Sequence, residues 1–247
     1  MVADRIAFDL LPSTQDEAVR RVREGAAPGL TVVARRQHRG RGRLDHGWVS
    51  PLGGLYLSTV VGEPPFAPGL FPLGVGASLS RSLDRKFGVA TAMKWPNDLL
   101  VASPGRPTRK LAGILVDRVL SPRFGVALVV GIGLNAACER AEFPADLSER
   151  VAVLSELCDR KVEPPEVEPI VLEAVGATAR RLRSSEGRRE LWEESRRLLY
   201  GLGRAVRIDG RPGGVIRGLD EDGALLVDQD GELLTVHAGD VVVEGSA

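Results

Sequence analysis

Residues 110–135 read KLAGILVDRVLSPRFGVALVVGIGLN, two long apolar runs on either side of a short segment that contains Pro122. The runs at 110–117 and 124–135 are predicted to be strands, and 120–123 is predicted to be the turn between them. Strands joined by so short a connection are expected to pair antiparallel. The stretch therefore predicts an antiparallel or mixed sheet and argues against a doubly wound parallel one. The Gly131-Ile132-Gly133 segment lacks the third glycine of a dinucleotide-binding loop, which argues against that site too.

The chain before and after this hairpin mixes helical and strand patterns. Ser13 precedes a run with Asp16 and Glu17 at its start and an apolar stripe behind them, which predicts an N-cap and a helix to about Glu24. The segment 63–69 is rich in proline and is predicted to be a loop. Strand patterns occupy 30–34, 54–61 and 91–101, and helical patterns occupy 73–87, 151–157 and 166–199.

The composition changes near residues 201–203. Five short alternating runs follow between 204 and 244, separated by turns that contain glycine. So many short strands in so little chain predict a small barrel. We therefore expect two domains, 1–200 and 201–247. The expected fold class is α+β, with a mixed or antiparallel sheet flanked by helices and followed by a small β-barrel.

Composition narrows the class of protein. The chain has 33 basic and 33 acidic residues and a formal net charge of zero, so it carries no overall positive field that would attract DNA. Its two cysteines, Cys138 and Cys158, are too few for a disulfide framework. The first eleven residues contain no long apolar run. We expect a cytoplasmic enzyme that binds neither DNA nor a membrane.

The most strongly charged segment is 35–43, which reads RRQHRGRGR and is predicted to be a loop. Glycines at Gly40 and Gly42 let the backbone approach a ligand closely, and arginine forks match the oxygens of carboxylates and phosphates. A flexible solvated loop or a nucleic-acid patch would look similar. Because the charge is local, a small anionic ligand is favoured.

Five segments taken together and in order resemble the biotin protein ligases. They are Ser13-Thr14-Gln15, the 37–43 segment with Trp48, the KWPND sequence at 94–98, KLAG at 110–113 and GIGLN at 131–135. The resemblance spans the whole chain, including the small barrel. It implies a catalytic domain like that of class II synthetases and an SH3-like C-terminal barrel. It also implies a two-step reaction, in which biotin and ATP form biotinyl-AMP and a lysine of a carrier domain then takes the biotinyl group.

The resemblance also implies roles for individual residues. Lys110, Arg41 and Arg43 would be the catalytic cations: Arg41 at the carboxylate end, Arg43 retaining the adenylate and Lys110 on the carboxylate and α-phosphate. The biotin pocket would include Gln15, where the family more often has asparagine, and Asp98 would hold Mg²⁺ on the phosphates. The full set implied to bind biotin or the adenylate is Ser13, Thr14, Gln15, Gln37, Gly40, Arg41, Gly42, Arg43, Trp48, Lys110, Gly113 and Asn135.

The implied substrates and partners are biotin, ATP with Mg²⁺, and a biotin carboxyl carrier domain such as that of acetyl-CoA carboxylase. A repressor role is not expected, because the biotin-binding segment begins almost at the N-terminus, and an exposed sheet edge could pair two copies. A lipoate or octanoate ligase or transferase of the same fold is the alternative. Octanoyl transfer would need a cysteine nucleophile, and neither Cys138 nor Cys158 lies in a matching motif.

Overall fold

We describe the protein from a computed structural model, in which residues 4–44, 46–62, 69–103, 106–158 and 160–245 are described. Most of the predicted loop at 63–69 therefore lies outside the described residues. In the N-terminal part the strands are β1 (Arg5–Leu11), β2 (Thr31–Arg41), β3 (Gly47–Ser50), β4 (Leu55–Gly62), β5 (Ala92–Lys94), β6 (Asp98–Ser103), β7 (Arg106–Ser121) and β8 (Gly125–Leu134). The helices are α1 (Thr14–Arg23), α2 (Leu70–Phe87), α3 (Ala145–Ser148), α4 (Leu154–Leu157), α5 (Pro164–Arg181) and α6 (Ser185–Leu198).

The N-terminal strands form one mixed sheet in the order β1-β2-β4-β8-β7-β6-β5, and β3 pairs with the far end of β2. The β1 strand runs parallel to β2, whereas the other pairs are antiparallel. The predicted hairpin is confirmed: β7 and β8 pair from Ala112 opposite Leu134 to Ser121 opposite Gly125. Gly125 has φ 72°, a left-handed conformation that glycine adopts without strain at the end of this tight turn.

Helices cover both faces of the sheet. The amphipathic α1 packs its apolar stripe, including Ala18 and Val22, on one face over β2, β4 and β8. The longer α2 and α5 pack on the other face, where the main core lies, and α6 packs against α2. Within the described parts of the chain, no helix has both the length and the apolar character that a bilayer crossing requires.

The C-terminal part forms a second, five-stranded antiparallel sheet. Its strands are β9 (Ala205–Ile208), β10 (Arg211–Leu219), β11 (Leu225–Gln229), β12 (Glu232–Val236) and β13 (Val241–Val243), in the order β12-β11-β10-β9-β13. This SH3-like unit is attached firmly to the first part. Indole nitrogens Trp95 Nε1 and Trp192 Nε1 donate to the carbonyls of Gly223 and Leu219 at 2.9 and 3.1 Å, and apolar residues of both parts share one core.

The structure differs from the sequence predictions in several elements. The β1 strand was not predicted, and the basic segment is mainly strand, since β2 continues to Arg41. The predicted strand at 91–101 is two strands, β5 and β6, joined by a turn at 95–97. Only Leu154–Leu157 of the predicted helix at 151–157 is helical, because Val151 forms a strand-like bridge with Lys110. The helical pattern at 166–199 is two helices, interrupted where Ser184 caps α6.

Candidate functional site

A pocket opens on the α1 face of the main sheet, where the N-terminus of α1, the end of β2 and the middle of β7 and β8 meet. The hydroxyl of Ser13 caps α1 by accepting from the backbone N–H of Asp16 at 3.3 Å, and Ser13 also lines the pocket. A helix N-terminus directed at a cavity favours a ligand that carries negative charge or hydrogen-bond acceptors. Most of the residues that the sequence assigned to ligand binding do line this pocket: Ser13, Thr14, Gln15, Gln37, Arg41, Gly42, Arg43, Trp48, Lys110 and Gly113, with Asp98 beside them.

Two of the assigned residues, Gly40 and Asn135, lie beside the pocket and do not line it. A Cβ on Gly40 would fall 2.4 Å from the carbonyl oxygen of Trp48, so this glycine allows β3 to approach β2. The Asn135 side chain donates from Nδ2 to the carbonyl of Lys110 at 3.3 Å. Both residues therefore support neighbouring parts of the site, and their expected contacts with a ligand stay a prediction.

The floor of the pocket is a network of uncharged polar groups. The backbone N–H of Thr14 donates to Gln37 Oε1 at 2.7 Å, and Gln37 Nε2 donates to Ser50 Oγ at 2.9 Å. Thr14 and Gln15 are at most 4% exposed, so their polar atoms depend on partners inside the protein. An uncharged polar floor suits a neutral ring that carries both donors and acceptors.

Trp48 forms one wall because two glycines make room for it. A Cβ on Gly133 would lie 2.3 Å from Trp48 Cε2, and a Cβ on Gly113 would lie 2.8 Å from Trp48 Cζ3. The indole therefore packs directly on the backbone of β7 and β8. In the described part of the chain, its buried Nε1 has no hydrogen-bond partner.

Lys110 projects into the pocket from β7. Its backbone is fixed on the far side, donating to Arg150 at 2.7 Å and accepting from Ala152 at 2.9 Å. Its ammonium lies 2.7 Å from Asp98 Oδ1 and 5.0 Å from the centre of the Trp48 ring. Anionic and π partners together hold the charge at the pocket wall. The neighbouring Arg109 is turned towards Glu156, 3.8 Å away.

Arg41 is the last residue of β2, and its side chain contacts two carboxylates. Its Nη1 lies 3.0 Å from Asp16 Oδ1 at the start of α1 and 3.0 Å from Asp117 Oδ2 on β7. Partial burial lowers the pKa of Arg41, but the carboxylates of Asp117 and Asp16 outweigh it, so its pKa lies above the usual value. Any anion that binds Arg41 must compete with these two residues.

Arg43 lies in the turn after β2, and its positive charge is balanced less directly than that of Arg41. Its Nη1 donates to Asn97 Oδ1 at 3.4 Å. Burial lowers the pKa of Arg43, and the carboxylates of Asp98, Asp240 and Asp209 oppose this shift only in part. The guanidinium stays charged in any case, so it is a partly desolvated cation that an incoming anion would stabilise.

Sequence reasoning did not assign several residues that line the pocket, among them Ser58, His46 and Asp240. Ser58 is a single hydroxyl within the apolar strand β4, and this break in the pattern was a usable signal. His46 belongs to the turn between β2 and β3. Asp240 comes from the C-terminal unit, and nothing in the sequence indicates that it reaches this pocket.

Among the described residues no group of three His, Cys, Asp or Glu side chains could hold a metal ion. Asp98, the expected Mg²⁺ ligand, has its Oδ1 at 2.7 Å from Lys110 Nζ. Magnesium in nucleotide sites commonly keeps several waters and is bound by one or two carboxylates together with the substrate phosphates.

A mixed sheet with a pocket of polar floor and cationic wall, followed by an SH3-like unit, defines an enzyme of the biotin and lipoate ligase class. Comparison with known proteins agrees. Residues 7–135 match the model of the "Biotin/lipoate A/B protein ligase family", and residues 201–243 match the "Biotin protein ligase C terminal domain". The chain belongs to this family, and its C-terminal unit indicates the biotin branch rather than the lipoate branch.

Individual relatives agree with the family assignment. A Mycobacterium tuberculosis protein named biotin--[acetyl-CoA-carboxylase] ligase is 30% identical, covering 93% of this chain and 85% of its own length. The bifunctional ligase/repressor BirA of Bacillus subtilis is 27% identical, and the match covers 96% of this chain and 73% of the length of BirA. The solved structure of an Aquifex aeolicus biotin protein ligase in complex with biotin and ATP superimposes with a TM-score of 0.79 at 28% identity, covering 98% of both chains.

Proposed function

We propose that this chain is a biotin protein ligase that activates biotin with ATP and transfers the biotinyl group to a lysine of a carrier domain. The observation that carries the proposal is the division of one pocket into a neutral polar floor and a wall with three cations, Arg41, Arg43 and Lys110. The floor suits the uncharged ureido ring of biotin. The wall suits the carboxylate and the triphosphate that must meet there.

In the first step a carboxylate oxygen of biotin attacks the α-phosphorus of ATP, and the bond to the β-phosphate breaks as pyrophosphate leaves. The carboxylate is already ionised, so no proton has to be removed. The main barrier that the protein can lower is the repulsion between two anions. We assign Lys110 and Arg41 to the reacting oxygens and Arg43 to retention of the adenylate.

The ion pairs within the site fit this assignment. Lys110 is held by Asp98 and Arg41 by Asp16 and Asp117, so these cations are positioned before substrates arrive, while both side chains stay partly exposed to solvent. A preorganised cation costs little reorganisation during the reaction. The ligand must supply enough negative charge to replace the carboxylate partners, and a carboxylate together with a triphosphate does.

In the second step the amine of the carrier lysine attacks the acyl carbon and AMP leaves. We propose the biotin carboxyl carrier domain as this partner, Mg²⁺ as the companion of ATP, and the cytoplasm as the location. The β1 strand is an edge of the main sheet that either the carrier domain or a second copy of the chain could extend.

The activation step is tested by pyrophosphate release. The purified chain is mixed with ATP and Mg²⁺, and either biotin or lipoate is added. Release of one pyrophosphate per protein with biotin, and little with lipoate, is the expected result. Release with lipoate alone would overturn the proposal and favour the lipoate ligase alternative.

A further inference from the structure

Three buried side chains on the pocket floor form a continuous chain of hydrogen bonds. Thr14 Oγ1 lies 2.9 Å from Ser58 Oγ, and Ser58 Oγ lies 2.9 Å from Gln15 Oε1. The far end of Gln15 donates from Nε2 to the backbone carbonyl of Val129 at 3.0 Å. All three side chains line the pocket, and Ser58 is completely buried.

The direction of the Gln15 amide is determined by its backbone partner. The carbonyl of Val129 can only accept a hydrogen bond, so the NH₂ group of Gln15 must face it. The amide oxygen then faces Ser58. Gly131 makes this arrangement possible, because a Cβ there would lie 2.4 Å from Gln15 Oε1. The glycine therefore leaves room for the end of the glutamine side chain.

The direction of the two hydroxyl groups follows from the amide. Ser58 has one proton, and Gln15 Oε1 can only accept, so the Ser58 hydroxyl donates to Gln15. The Ser58 oxygen then accepts the proton of Thr14. The reverse direction would leave a buried carbonyl oxygen without a donor, which is unfavourable. Thr14 Oγ1 is left with its lone pairs available to the pocket.

We infer that Gln15 and Ser58 are positioning residues that make Thr14 an obligatory acceptor, so that the pocket selects a ligand ring carrying an N–H at this point. The inference rests on the proposed function and deepens it. The ureido ring of biotin has two N–H groups, whereas the dithiolane ring of lipoate has none. A site that presents a fixed acceptor discriminates strongly against a ligand that lacks the matching donor.

The experiment uses two cyclic carbamate analogues of biotin, in each of which one ureido N–H is replaced by a ring oxygen. Binding of biotin and of both analogues is measured by calorimetry for the full chain and for Ser58→Ala. In the wild type, one carbamate should bind about 100-fold more weakly than biotin, because two lone pairs oppose each other. In S58A the Thr14 proton is free to turn into the pocket, and this penalty should fall to about tenfold or less.

A matched control is Thr59→Val. Thr59 Oγ1 lies 2.9 Å from Thr31 Oγ1, a buried hydroxyl pair one residue farther along β4 that does not line the pocket. This variant should lose stability and keep the wild-type penalty for the carbamate. The Thr14→Val variant removes the acceptor itself and should bind biotin and the carbamate about equally.

The outcomes separate the two proposals. A wild type that does not bind biotin contradicts the proposed function. A wild type that binds biotin and both carbamates within threefold of each other contradicts the inference alone. A carbamate penalty that is the same in S58A, T59V and the wild type also overturns it, because Ser58 would then not determine the direction of Thr14.

Discussion

The clearest prediction concerns Arg43 and the lifetime of the activated intermediate. Its guanidinium is partly desolvated, and its hydrogen bond to Asn97 is long, at 3.4 Å. A bound acyl-adenylate would supply the missing anion. The Arg43→Ala variant should therefore form biotinyl-AMP and then release it, because the cation that retains the phosphate is absent.

The size of the effect follows from the strength of such an interaction. Hydrogen bonds that involve charged groups contribute about 1.5–3 kcal/mol in protein sites. Since about 1.4 kcal/mol corresponds to a factor of ten, the adenylate should dissociate roughly 10- to 150-fold faster from the variant. Partial exposure of the turn favours the lower half of this range.

The assay follows labelled biotinyl-AMP by rapid filtration after a chase with unlabelled biotin, and it measures biotin transfer to bystander proteins. Arg39→Ala is the matched control, because Arg39 lies exposed on the same strand outside the pocket. It should retain the adenylate like the wild type. Equal retention by R43A and R39A would refute the reasoning, since Arg43 would then not bind the phosphate.

Three further outcomes are expected. The Lys110→Gln variant should lose at least about 100-fold in the rate of pyrophosphate release while it still binds biotin, and unchanged release would remove Lys110 from the reaction. The Gly133→Ala variant should displace Trp48, because the added Cβ lies 2.3 Å from Cε2. A urea titration should show a free energy of unfolding lower by about 1–3 kcal/mol, and the variant should bind biotin more weakly. Burial raises the pKa of the Cys138 thiol to about 11, above its usual value near 9, so this residue stabilises the fold below pH 9. That contribution, about 2–3 kcal/mol, should be lost as the pH rises to 11. The free energy of unfolding should depend less on pH in Cys138→Ala than in the wild type. Identical pH profiles of the two proteins would contradict this role of Cys138.

The parts of the fold that the sequence predicts well are those with a local cause. Ser13 caps α1 as expected, since the serine and the acidic first turn follow one another in the chain. The second helix ends at Gly88, which has φ 67° and closes the helix in the left-handed conformation. The β7–β8 hairpin is encoded by two β-branched runs and one turn.

The parts that the sequence does not predict depend on distant partners. The β1 strand pairs parallel with β2 across the intervening α1, so its seven residues carry little local signal. The basic segment was expected to be a loop because its charged side chains hide a strand pattern. Its backbone is nevertheless extended, since β3 and the carbonyl of Pro12 provide hydrogen-bond partners.

The candidate site shows the same division. The resemblance of separate segments to biotin protein ligases assigned Gln37, Arg43 and Lys110 to one ligand. The structure does place the three residues around one pocket. The carboxylates that hold the cations in place were not predictable, because Asp117 reaches Arg41 only through the sheet. Asp240 is farther still in sequence and approaches through the packing of the C-terminal unit.

The central claim is that one pocket both activates biotin and passes it to a protein lysine. The most direct test mixes the chain with ATP, Mg²⁺, a biotin carboxyl carrier domain and either biotin or lipoate, and records the mass of the carrier. We expect a gain of one biotinyl group on a single lysine with biotin, and no gain with lipoate or without ATP. An unchanged carrier mass with biotin, or modification by lipoate instead, would contradict the account.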